Sequence, residues 1–140
     1  MTPVHCRVKH SPEDGLYGDC LRACVATIMD REPEQVEHFA DGGVDAETIN
    51  DRMVEWLGKE GYAPFWCHYD PDYTLAELME MQSAQNHNTV YMLFGLTSDD
   101  EPHVVVCKGG YVVHNPSWYP NPLVAPGRHG AWSVMVIAKL

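Results

Sequence analysis

The sequence predicts an α+β fold, because helical and strand patterns occupy different halves of the chain. Apolar residues follow the 3.6-residue period of helices over most of the first half and the two-residue period of strands from residue 89 onward. Segregated helices and strands favour α+β over an alternating parallel α/β sheet. The length of 140 residues predicts one domain spanning residues 1–140, with a ligand cleft between helices and sheet.

Helix starts are marked by residues that cap or open a helix. Pro33, for example, suits the first position of a short helix, because a proline there removes no hydrogen bond. The first predicted helix covers residues 20 to about 30, after a turn at Gly18 and with Asp19 as its N-cap. The others are residues 32–39, a helix that follows Asp45 and ends at Gly58 or Gly61, and a helix from the Thr74–Glu77 capping box to about residue 83.

Strands are predicted where β-branched and aromatic residues cluster between turn signals. The segment 62–67 is expected at a sheet edge, because Pro64 would remove a hydrogen bond from a central strand. The other predicted strands are residues 4–8, 89–96, 103–107, 111–114 and 132–140, with residues 115–130 forming a loop.

Composition excludes several classes of function. A net charge of −11 and a pI near 4.9 argue against nucleic-acid binding and against an anionic membrane surface. No apolar run has transmembrane length, and the start of the chain has no signal-peptide pattern. Five cysteines without a secretion signal indicate reduced thiols in the cytoplasm. No phosphate loop or dinucleotide motif is present, so no cofactor is expected, and the oligomeric state stays open.

Cys20 is the candidate nucleophile. It stands in the first turn of the first predicted helix, where free backbone N–H groups and the positive end of the helix dipole favour an anion. The position predicts a lowered thiol pKa and a thiolate near neutral pH, as a cysteine hydrolase needs. Cys24, one turn further along the apolar face, is expected in the core.

His103 and Asn115 are the candidate base and the residue that orients it. A three-residue loop over residues 108–110 would place them directly opposite one another, with Cβ atoms about 4.5–5.5 Å apart. A two-residue turn would place them on opposite faces. We predict the three-residue loop, because glycine suits its left-handed position. His114 should face the other way and is the reserve base.

These residues resemble the papain-like cysteine peptidase superfamily. The resemblance lies in Asp19-Cys20-x-x-Ala23 at a helix start, in His103-Val-Val-Val, and in Val113-His114-Asn115-Pro116. The most similar pattern is that of small bacterial and phage-type relatives of the double-glycine leader peptidases. The resemblance implies a papain-like fold in which the nucleophile helix packs on a C-terminal antiparallel sheet. It also implies a Cys20, His103 and Asn115 triad that acts on a polypeptide or other amide.

The sequence departs from that family at the oxyanion hole. Such enzymes place a glutamine several residues before the nucleophile, and here no glutamine precedes Gln35. The backbone N–H of Cys20 is one candidate donor, and Asp19, Tyr17 and His10 lie nearby in sequence. Trp118, in the loop after the hairpin, is a candidate wall of the substrate groove.

Two other functions remain open. The missing glutamine is compatible with a catalytically inactive papain-like domain used for interaction or assembly. Cysteine and histidine content allows a small zinc-binding module, with Cys20, Cys24, His103 and Cys107 as ligands, although no Cys-x-x-Cys pair is present. An acyl transferase would use the same triad as the hydrolase.

Overall fold

The fold consists of three helices and a single six-stranded sheet, seen in a computed structural model that describes residues 1–140. None of the helices is long and apolar enough to cross a bilayer. The helices are α1 (Cys20–Met29), α2 (Ala46–Lys59) and α3 (Leu75–Gln85). The strands are β1 (Tyr62–Tyr69), β2 (Val90–Thr97), β3 (Pro102–Lys108), β4 (Tyr111–His114), β5 (Leu123–Ala125) and β6 (Trp132–Lys139). Two 3-10 turns cover Pro12–Asp14 and Pro33–Gln35.

All strand pairs in the sheet are antiparallel, in the order β1-β6-β2-β3-β4. The short strand β5 pairs with the last residues of β2. β1 lies at one edge, as Pro64 predicts, and β4 lies at the other. The α+β class is therefore confirmed, and β1 and α3 alternate near the middle of the chain, where the sequence predicts a strand over 62–67 and a helix after Thr74.

The two faces of the sheet carry separate cores, because successive side chains of a strand point to opposite faces. One face packs against α1 and α2, and the other packs against α3 and β5. The first core contains Cys24, Val25, Met53, Met92, Val104, Val106 and Met135. The second core contains Leu78, Tyr91, Leu93, Val105, Cys107, Leu123, Trp132 and Val134.

Two predicted elements are shorter or absent, and one strand was missed. The helix expected over residues 32–39 is only a 3-10 turn, because Val36 adopts an extended conformation and turns into the core. Residues 4–8 do not form a strand, since three of their N–H groups bond to side chains instead: Val4 to Thr27 Oγ1, and Arg7 and Val8 to Asp19. The segment 115–130 contains β5, which the sequence analysis assigned to a loop.

The β3–β4 hairpin corrects the predicted register. Lys108 pairs with Tyr111, so the turn has two residues rather than three. A Cβ at either turn glycine would clash with its neighbours, 2.5 Å from His87 O at Gly109 and 2.6 Å from Met79 O at Gly110. A bulge then shifts the pairing by one residue, so that Val106 pairs with His114. The two-residue turn alone would place His103 and Asn115 on opposite faces of the sheet. The bulge reverses that change, so the two side chains share a face.

Candidate active site

Asp19 fixes the start of α1, but not as the helix cap that the sequence predicts. Its carboxylate is 1% exposed and makes no capping hydrogen bond to the helix. It accepts hydrogen bonds from the N–H groups of Arg7 (2.9 Å) and Val8 (3.0 Å), and from Arg22 Nη2 (2.7 Å). Because a carboxylate only accepts and this one is fully occupied, Asp19 is not an oxyanion donor but an anchor.

The segment 6–8 links the nucleophile to the loop that carries Asn115. At one end Asp19, next to Cys20, holds Arg7 and Val8. At the other end the Cys6 N–H donates to the carbonyl of Pro116, next to Asn115, at 2.9 Å. This clamp connects two parts of the site that are almost a hundred residues apart in sequence.

Cys20 lies half-buried at the start of α1, and its thiol differs from the sequence prediction. Burial raises the pKa of the Cys20 thiol to about 11. The backbone N–H groups of Val104, Leu21 and Cys20 oppose that effect and lower the pKa, while the charge of Asp19 raises it. The predicted pKa lowering at the helix start is therefore outweighed by desolvation, and the resting thiol is neutral.

His103 and Asn115 are in direct contact, as the sequence analysis predicts. His103 Nε2 lies 2.8 Å from Asn115 Oδ1. The Asn115 amide is oriented by two backbone groups: its Nδ2 donates to the Asn121 carbonyl (2.8 Å), and its Oδ1 accepts from the Ser117 N–H (3.1 Å). Because Oδ1 can only accept, His103 must carry its proton on Nε2, which leaves Nδ1 as the basic nitrogen.

The Nδ1 atom of His103 makes no hydrogen bond, yet it is not sealed from solvent. Burial lowers the pKa of the imidazole, and the hydrogen bond to Asn115 partly offsets this effect. His103 is therefore neutral near pH 7. Its side chain starts beside Val104, whose backbone N–H acts on the Cys20 sulfur. No hydrogen bond joins Cys20 to His103, and contacts of this type commonly tighten when substrate binds.

Ser117 and Asn121 are site residues that the sequence analysis missed. Ser117 Oγ lies 3.3 Å from His103 Nε2 and accepts a hydrogen bond from Asn121 Nδ2 at the same distance. Both lie in the loop after β4, where polar residues closely follow Asn115-Pro116. Such clusters of Ser and Asn after a strand end could have indicated a support for the histidine.

The other predicted site residues have structural contacts of their own. The Tyr17 carbonyl accepts from His38 Nε2 at 2.8 Å, and its ring packs against Gly43, where a Cβ would lie 2.6 Å away. His10 Nδ1 accepts from the Gly18 N–H at 3.0 Å. This bond fixes the proton of neutral His10 on Nε2, so that His10 remains a possible side-chain donor near the helix start.

Trp118 lies over the N-terminal segment, on the ring of His5, which also contacts the reserve base His114. It is 73% exposed, stacks on His5 with ring centroids 4.3 Å apart, and donates from Nε1 to the Cys6 carbonyl (2.6 Å). His114 lies on the α1 face, where its Nε2 donates to the Val4 carbonyl at 2.7 Å. Cys24 is in the core, as predicted, with its sulfur 3.6 Å from the Val104 carbonyl.

The chain matches no protein-family model, no curated protein and no solved structure in the comparisons made. Its side chains also form no group of three or more His, Cys, Asp or Glu residues arranged to hold a metal ion. Two of the four ligands suggested for zinc, Cys24 and Cys107, lie in different cores on opposite sides of the sheet.

Proposed function

We propose that this protein is a papain-like cysteine hydrolase that cleaves an amide bond of a polypeptide or another amide-containing substrate. The observation that carries the proposal is the arrangement around His103. Asn115 holds the His103 Nε2–H, and the basic Nδ1 is left free on β3, the strand whose Val104 N–H lowers the pKa of the Cys20 thiol. A nucleophile, a base and a residue that orients the base are the components of a Cys-His-Asn triad.

The thiol and the imidazole are both neutral before reaction, since burial raises the pKa of one and lowers that of the other. In the proposed reaction the Cys20 sulfur attacks the substrate carbonyl while His103 Nδ1 takes the thiol proton. The C–N bond then breaks, the amine leaves with that proton, and a thioester remains on Cys20. Water attacks the thioester with His103 again as base, which releases the acid and restores the thiol. An amine in place of water gives the transferase outcome.

In this proposal the start of α1 stabilises the tetrahedral oxyanion. The first N–H groups of a helix have no partner within the helix and point toward its N-terminus, where the backbone N–H of Cys20 lies. The Nε2–H of His10 is the side-chain group we propose in place of the missing glutamine. Asn115 carries no charge, so it orients the imidazolium without neutralising it.

The second candidate function is an inactive papain-like domain used for interaction or assembly. Two observations favour it: burial keeps the Cys20 thiol neutral, and no hydrogen bond joins that thiol to His103. The five unpaired cysteines support a cytoplasmic location for either function. The net charge of −11 favours neutral or basic polypeptides over nucleic acids and anionic membranes as partners.

Competitive alkylation distinguishes the two functions. Cys67 is an exposed free thiol on β1, outside the candidate site, and serves as an internal reference. With limiting iodoacetamide at about pH 6.5, the hydrolase should be modified at Cys20 faster than at Cys67, since His103 assists attack by Cys20 alone. Peptide mass mapping measures both rates. Modification of Cys67 first, with Cys20 reacting only after unfolding, would establish the inactive domain instead.

A further inference from the structure

A shallow pocket lies on the α1 face of the sheet, toward the end at which a turn joins β2 to β3. It has a volume of about 290 Å³ and is lined by Trp66, His68, Phe94, His129 and Ser133. The Trp66 and Phe94 rings pack against each other, with centroids 5.0 Å apart and planes inclined by 48°, and together form one aromatic side of the pocket. None of these residues belongs to the triad, and none of them lies in a helix.

The polar floor of the pocket is held in place by Ser133. This side chain is buried, and its Oγ lies 2.8 Å from His68 Nδ1 and 3.0 Å from His129 Nε2. A hydroxyl has one proton, so it donates to one ring and accepts the N–H of the other. Both rings are therefore oriented before a ligand arrives, in a T-shaped arrangement with centroids 5.9 Å apart and planes inclined by 84°.

The strand register places this pocket beside the candidate nucleophile. Phe94 pairs with Val104 of β3, and the Val104 N–H acts on the Cys20 sulfur. Phe94 also pairs with Ser133 of β6, which in turn pairs with His68 of β1. Neighbouring strands lie about 4.8 Å apart, so the centre of the pocket is about 10 Å from β3. An extended polypeptide covers that distance in about three residues.

We propose that this pocket binds an aromatic side chain of the substrate, close in sequence to the scissile amide. The proposal rests on the hydrolase function proposed above. Trp66 and Phe94 offer aromatic faces for offset or edge-to-face packing, and both imidazoles add flat walls. No carboxylate, guanidinium or ammonium group lines the pocket, so it offers a charged side chain no partner.

The test uses vinyl sulfones of N-acetyl-Phe-Ala-Ala and N-acetyl-Asp-Ala-Ala, which form a stable bond to a nucleophilic cysteine and carry the tested side chain on the third residue from the reactive group. The phenylalanine probe should modify Cys20 about 10–100-fold faster than the aspartate probe, the range that one side-chain pocket commonly provides. Trp66→Ala and Phe94→Leu should each remove most of that preference. Phe65→Ala is the matched control, because Phe65 precedes Trp66 in β1 and is exposed on the opposite face of the sheet.

A second measurement separates failure of the pocket from failure of the hydrolase. In Cys20→Ser protein, N-acetylphenylalanine amide should shift the Trp66 indole N–H resonance in a saturable way, and N-acetylaspartate amide should not. Equal modification of Cys20 by both probes would overturn the pocket and leave the hydrolase standing. No modification by either probe, with a saturable Trp66 shift, would overturn the hydrolase and keep the pocket. Absence of both signals would overturn both proposals.

Discussion

An Asp19→Ala protein should unfold with a free energy about 3–5 kcal/mol lower than that of the wild type, because the change leaves buried groups without partners. The Asp19 carboxylate is 1% exposed, and it binds two backbone N–H groups and the Arg22 guanidinium. Urea unfolding followed by circular dichroism measures the loss. The change should also loosen the clamp formed by residues 6–8.

Asp19→Asn is the matched variant for that prediction. An asparagine of the same size keeps one oxygen acceptor for the N–H groups of Arg7 and Val8, but loses the charge that faces Arg22. Its free energy of unfolding should therefore lie between that of the wild type and that of Asp19→Ala. A loss below about 1 kcal/mol for Asp19→Ala would contradict the anchoring role, since that is no more than an exposed ion pair contributes.

Replacing His103 by alanine should slow acetylation of Cys20 by 4-nitrophenyl acetate by about 10²–10⁴-fold, the usual contribution of a positioned base. Without the imidazole, the reaction depends on thiolate formed without assistance. With a thiol pKa of about 11, only about one Cys20 in 10⁴ is ionised at pH 7. The rate is followed by the mass of the peptide that contains Cys20.

His87→Ala is the control for that experiment. His87 is exposed in the loop before β2, whereas His103 pairs with Gly95 near the other end of that strand. Removal of the His87 side chain should therefore leave the Cys20 environment unchanged. It should react at the wild-type rate. Equal rates for His103→Ala and the wild type would show that His103 does not act on Cys20.

Local patterns predicted the elements that carry the site. The helix starting at Cys20 and the strands containing His103 and Val113 follow from short-range periodicity and turn residues, and they lie where expected. The contact of His103 with Asn115 was also predicted, although through the wrong turn length. The shorter turn and the bulge each move Asn115 to the other face of the sheet, so together they leave it on the predicted face. The sequence Lys-Gly-Gly alone predicts neither of them.

Long-range packing determines the features of the site that local sequence patterns did not predict. The thiol pKa depends on how deeply α1 packs against β3, which outweighs the local effect of the helix start. The sequence predicts that Asp19 caps α1. Its carboxylate instead accepts hydrogen bonds from the N–H groups of residues 7 and 8, which come close to it only in the folded chain. The pocket of Trp66 and Phe94 exists because β6 joins β1 to β2, a pairing between distant segments.

The pH dependence of Cys20 alkylation, compared between wild type and His103→Ala, tests the central claim most directly. If His103 is the base, the wild-type rate should rise through a pKa below the usual histidine value of about 6.5, because burial favours the neutral ring. It should then stay level, and rise again only as the thiol approaches its own pKa of about 11. The His103→Ala protein should show the second rise alone. A single rise toward pH 11 that is the same in both proteins would contradict the account.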